Sequence, residues 1–106
     1  MTFKFLSHVA GQQITTSTTS TSTAFATDGS QPTLNNALRV QNIDATNGVF
    51  FITGDGTETA TDHCHYVGPN SYLDVKKRDT DTHVSLKAVA GTPKVNLHFG
   101  HCGTAD

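Results

Sequence analysis

Residues Ala37 to Asp55, ALRVQNIDATNGVFFITGD, set the reading of the whole chain. Two apolar runs, Leu38–Ile43 and Val49–Ile52, flank the turn-forming segment Asp44–Gly48. β-Branched and aromatic residues on either side of Asn47-Gly48 predict a β-hairpin here. In the first arm Leu38 and Val40 share one face, and Arg39 and Gln41 share the other. In the second arm Val49 and Phe51 oppose Phe50 and Ile52, so both faces are apolar. Such a strand is either central in the core or buried against another subunit. Phe50 and Ile52 at an interface would each contribute roughly 1.5–3 kcal/mol if fully buried.

The remainder reads as more short strands joined by polar turns. Ser71–Val75 places Leu73 and Val75 on one face. His83–Ala90 turns Val84, Leu86 and Ala88 inward. Lys94–Phe99 alternates most cleanly, with Val95, Leu97 and Phe99 in and Asn96 and His98 out. Thr57–Thr61 suits a short edge strand, Lys76–Thr82 a solvated charged turn, and Gly100–Asp106 a tail. Near the start, Thr2–Val9 alternates as an edge strand or arm. The hydroxyl-rich tract that follows reads as linker over 15–20 and strand over 21–26. The expected organisation is therefore an N-terminal arm and Thr/Ser-rich linker over residues 1–20, then one domain over 21–103. Seven to eight strands at short, regular spacing predict an all-β fold, a small antiparallel β-sandwich of jelly-roll or Ig-like Greek-key type.

Composition agrees. Of 106 residues, 18 are Thr and 7 Ser, with one Glu, one Met and no Trp. Threonine suits a pleated surface and the long helix formers are scarce. One domain of this length buries a real but modest core. The net charge of −2 argues against nucleic-acid binding, which needs a positive surface to displace counterions. Met1–Leu6 has neither the charged leader nor the apolar run of a signal peptide, and no stretch has the length of a membrane span. Synthesis in a host cytoplasm is expected. Few charges and many hydroxyls fit a subunit packed in an assembly better than a free monomer.

From Leu38 to Gly103 the pattern resembles small virion proteins of tailed bacteriophages. The pieces that carry the resemblance are Leu38-Arg39-Val40-Gln41-Asn42, then Phe50–Asp55, then the hydroxyl-rich Thr57–Thr61. Gly68–Ser71 with Tyr72–Val75, His83–Ala90 and Val95–Phe99 complete it. The resemblance implies a capsid-associated decoration (cement) protein or head-fibre accessory in the virion. Its implied partners are the major capsid protein or another virion protein, and copies of itself, most simply as a trimer. An arm containing Phe3, Phe5 and Leu6 would extend to a neighbour and add a strand to an open sheet edge.

Two histidine- and cysteine-bearing stretches are candidates for chemistry. His63 and His65, with His98 or His101, would supply three zinc ligands if the last strand lay beside the His63 strand. Otherwise they are surface or interface histidines. Cys64 and Cys102 would form a disulfide contributing about 3–4 kcal/mol, or remain free thiols with Cys64 buried as a small hydrophobe. Neighbouring strand residues point to opposite faces, which separates Cys64 from His63 and His65, and Cys102, with His101 and Asp106, falls in the expected tail, which does not hold a nucleophile, base and acid together. No enzymatic activity is expected. Thr53–Gly56 and Lys76–Asp81 match calcium loops in composition without their spacing. A different function, host-glycan binding by a fibre or tail module, would place Tyr66, Tyr72 and Asn70 in one stacking site.

Overall fold

The computed structural model describes residues 2–5, 11–25, 37–78 and 80–103, with 2–5 and 101–103 described by their backbone. Among these residues there are nine strands and no helix. They are β1 (Thr2–Phe5), β2 (Gln12–Thr15), β3 (Thr21–Ala24), β4 (Ala37–Asn42) and β5 (Val49–Gly54). After them come β6 (His65–Val67), β7 (Ser71–Lys76), β8 (His83–Ala88) and β9 (Lys94–Gly103).

β1 and β2 run in the same direction along one edge of β9, opposite residues 100–103 and 94–97 respectively. They fill a single strand position. Phe5 lies opposite Gly100 and Gln12 opposite Leu97. One sheet then runs β1/β2–β9–β4–β7 and the other β3–β8–β5–β6. Every pairing is antiparallel.

These eight strand positions form a β-sandwich, as the sequence predicts. The first position pairs with the last, β3 with β8, β4 with β7 and β5 with β6. The chain is one long hairpin rolled over itself. Of the two Greek-key arrangements expected, this strand order is the jelly roll.

Alternation explains which residues fill the centre. Leu38 and Val40 of β4 and Val95, Leu97 and Phe99 of β9 meet Val49 and Phe51 of β5 and Val84 and Leu86 of β8. All are buried. Phe25, just past β3, closes one end with its ring edge-on to Phe99 at 5.6 Å. Burying each such side chain contributes roughly 1.5–3 kcal/mol.

The expected hairpin over Ala37–Asp55 does not form. β4 pairs with β7 and β9, β5 pairs with β6 and β8, and the connection arches between the sheets. A type I′ turn needs positive φ at both central residues, and neither Asn47 nor Gly48 has it. Asn42 builds the arch instead. It is fully buried, and its Nδ2 donates to Asn47 O at 2.8 Å and Val67 O at 3.3 Å. Its Oδ1 accepts from Asp44 N–H at 3.0 Å. Asp44 Oδ2 in turn accepts from the amides of Thr46 and Asn47. Gly48 serves close approach rather than turning, because the Tyr66 ring occupies the space a Cβ would need.

Other expectations shift for similar reasons. The Thr/Ser-rich tract is a held crossover, so the sandwich begins well before residue 21. Thr16 is buried, and its amide and hydroxyl both donate to Pro93 O, at 3.0 and 2.7 Å. Ser17 O accepts from Ala88 N–H, and Ser20 Oγ accepts from Ala60 N–H. Thr57–Thr61 is a loop rather than a strand. Residues 100–103 continue β9 rather than forming a tail. Lys77 is not solvated: it is 1% exposed, its Nζ 5.9 Å from the Phe25 ring centroid.

Replacing Asn42 by Ala removes the donor shared by two carbonyls and the acceptor for Asp44. It is expected to lower the unfolding free energy by about 2–3 kcal/mol in urea titrations. A loss under about 0.5 kcal/mol would show that the arch holds without it.

Candidate functional site

Among the described residues, the outer face of the β1/β2–β9–β4–β7 sheet carries a connected polar array. Residues 96 and 98 of β9, 39 and 41 of β4, and 72 and 74 of β7 share this face by register. Gln13 Nε2 donates to Asn96 Oδ1 at 3.1 Å. Gln41 Oε1 lies 3.3 Å from His98 Nε2 and accepts its hydrogen in the Nε2–H tautomer. Arg39 donates through Nε and Nη2 to the two Asp74 oxygens, at 2.7 and 3.0 Å. Its guanidinium lies 4.1 Å from the Tyr72 ring centroid. The Asp74 hydrogen bonds raise the Arg39 pKa further, against a smaller opposing effect of burial, and the Asp74 charge adds to the rise. Bidentate geometry plus stacking fixes both side chains, an arrangement lysine would not reproduce.

The outer face of the other sheet is covered largely by the chain itself. The β5–β6 connection folds across it. Ser85 Oγ donates to Glu58 O at 2.7 Å, Lys87 Nζ to Asp62 at 3.0 Å, and Ala60 is buried. The Phe50 ring meets Tyr66 at 5.2 Å. Phe50 and Ile52 are thus half-buried within their own subunit, which accounts for the second apolar face of β5 without a neighbour.

The candidate ligands and ring platforms are dispersed. His63 and His65 are exposed beside β6, the His65 ring 5.1 Å from that of Phe51. His98 lies on β9, in the other sheet, so the strand adjacency needed for a shared zinc is not met. Among the described residues no group of three potential ligands converges. Of His101 the structure describes only the backbone, within β9. Cys64 is a free thiol, half-buried rather than buried as a small hydrophobe, and its sulfur accepts from Thr61 N–H at 3.3 Å. The side chain of Cys102 lies outside the described residues.

Tyr66 and Tyr72 are 50% and 57% exposed, but on the outer faces of opposite sheets. With Asn70 in the turn between them, they do not make one stacking site. Phe3 and Phe5 belong to β1, opposite Cys102 and Gly100. Leu6 lies outside the described residues.

One polar centre was not legible in the sequence. A cleft of about 230 Å³ is lined by Gly54, Asp55, Glu58, Arg78, Thr80 and Asp81. Its carboxylates are occupied by the chain's own donors. Asp55 accepts from Thr57, and Glu58 accepts from the Asp55 amide. The buried Asp81 accepts from Arg78 N, Nε and Nη2 and from Thr53 Oγ1. The runs Thr53–Gly56 and Lys76–Asp81, which resemble calcium loops only in composition, are the stretches of sequence that meet here, and nothing in either signals the other.

No protein-family model matches the chain, no curated protein matches it, and no solved structure was found to match it.

Burial by itself raises the Asp81 pKa, but the Arg78 hydrogen bonds and charge, with Thr53, more than reverse this and leave it below the usual carboxylate range. A depressed folded pKa contributes stability above the unfolded pKa, and that stability is lost as pH falls through the folded value. Asp81→Asn is therefore expected to cost about 2 kcal/mol at pH 7. It should also flatten the acid decline that begins near about pH 4. Urea midpoints across that range check it; an equal cost at pH 7 and at about pH 2 would contradict the assignment.

Proposed function

We propose that this chain is a structural component of a bacteriophage particle, a capsid-associated decoration or cement protein. It binds the major capsid protein or another virion protein through protein–protein contacts and carries no catalytic role. The observation that supports this reading is that, among the described residues, β1 and the end of β9 form a two-stranded ribbon at one end of the sandwich. β4 begins at Ala37, opposite Gly100. β1 and the last residues of β9 continue their pairing to Thr2 and Gly103. The ribbon therefore runs roughly 10 Å past the start of β4.

A pair of strands standing alone is marginally stable in water. Free ribbon edges take up an extended segment of a partner by main-chain hydrogen bonding. A ribbon of this kind gives a cement protein a way to reach a neighbouring subunit while the sandwich stays folded. The jelly roll is compatible with this role, as it is with many others.

Removing residues 1–10 separates folding from attachment. The truncated chain is expected to lose about 1 kcal/mol or less of stability, because only β1 is deleted from the described pairing. Its co-sedimentation with shells of the same phage should fall at least about tenfold. Proportional loss of folding and attachment, or full attachment by the truncated chain, would refute the reading.

A further inference from the structure

β7 ends its sheet, and among the described residues its one strand partner is β4. Alternate residues of a strand direct their N–H and C=O groups to opposite sides, so half of β7's six residues aim theirs away from β4. At the same margin the other sheet ends in β6, with three residues. This mismatch leaves the core incompletely covered. The inward Leu73 and Val75 of β7 are half-buried, whereas the inward apolar residues of β4, β5, β8 and β9 are buried.

We propose that this edge pairs antiparallel with β7 of a second copy, about a two-fold axis through Val75, to give one continuous sheet across two subunits. The occupant follows from charge. A two-fold axis normal to the sheet sets residues of the same face opposite each other. Centring it on Val75 brings Asp74 against Lys76 of the second copy, twice, on the outer face. Centring it on Asp74 sets two carboxylates against each other, and centring it on Leu73 leaves Lys76 without an acidic neighbour.

Asp74 retains capacity for the additional cation. A carboxylate offers about four acceptor sites, and Arg39 occupies one on each oxygen. The stacked Arg39–Tyr72 pair is already held in place beside the edge. Tyrosine and arginine are the residues most often found to anchor protein interfaces. The two Val75 side chains then meet across the axis, supplying apolar burial that solvated edge amides alone do not. The proposed assembly is two-fold, where the sequence reading favours a trimer. It is a property of the isolated chain and does not rest on a role in a particle.

Sedimentation velocity and light scattering of the full chain, over a concentration series at about 0.15 M salt, test it. The expected result is a reversible monomer–dimer equilibrium. Lys76→Glu turns two attractive pairs into repulsive ones and should weaken the dimer about tenfold with an unchanged unfolding midpoint.

Val75→Cys supplies a second measurement. Directly opposed residues have Cα atoms about 4.5–5.5 Å apart, within disulfide range. Mild oxidation should therefore join two chains through the introduced thiols, located by peptide mapping. Val89→Cys, at an exposed residue after β8, should not cross-link. A monomer at every concentration, a trimer, a dimer indifferent to Lys76→Glu, or no cross-link at position 75 would each overturn the proposal.

Discussion

The fold depends on β9. It pairs with β4 on one side and with β1 and β2 on the other, and its Val95, Leu97 and Phe99 lie at the centre of the core. Without it the first sheet is reduced to β4 and β7, a pair too small to bury a face. The jelly roll follows from the same constraint. Once the last strand lies against the first, the strands between must pair inward in turn, and each connection must carry the chain across the roll. The crossovers are accordingly held by specific polar contacts. Asn42 and Asp44 shape one, and Thr16, Ser17 and Ser20 secure another.

Strand phase was legible in the sequence, whereas strand partnership was not. Alternation in Lys94–Phe99 and His83–Ala88 identified the inward residues, and the structure buries them. The same alternation made Leu38–Ile43 and Val49–Ile52 look like two arms of a hairpin. Inward-facing apolar residues look alike whether strands lie side by side or face each other across a core. What separates the two cases is the conformation of Asn47 and Gly48 and the destination of the Asn42 amide, neither of which periodicity reports. The second apolar face of β5, with Phe50 and Ile52, reflects a related ambiguity: the next loop, Glu58–Asp62, folds back over the neighbouring β8 on that face, a fold-back that strand periodicity does not report.

The polar features were legible unevenly. Alternation placed Arg39 on an outer face, but its pairing with Asp74 requires the β4–β7 register. The histidines cluster in sequence and separate in space, because β6 and β9 belong to different sheets. Asp81 and Lys77 are buried within a run of charges that local composition assigns to solvent. Asp81 is tolerated there because Arg78 and Thr53 satisfy its carboxylate, since a buried charge persists only when it is paired and hydrogen-bonded.

The order of synthesis gives β9 one more consequence. β1, β2, β4 and β7 all leave the ribosome before residues 94–103, so the strand that belongs between them arrives last. Until then β4 can pair with β7 and the β3–β8–β5–β6 sheet can form, but the first sheet lacks its central strand, and the non-local topology places the chain among slow-folding proteins. Meanwhile its apolar faces wait uncovered, where they are prone to stick to other nascent chains. The short hydroxyl-rich crossover between β2 and β3, residues 16–20, is hydrated in that waiting chain and gains its contacts to Pro93, Ala88 and Ala60 only as the roll closes.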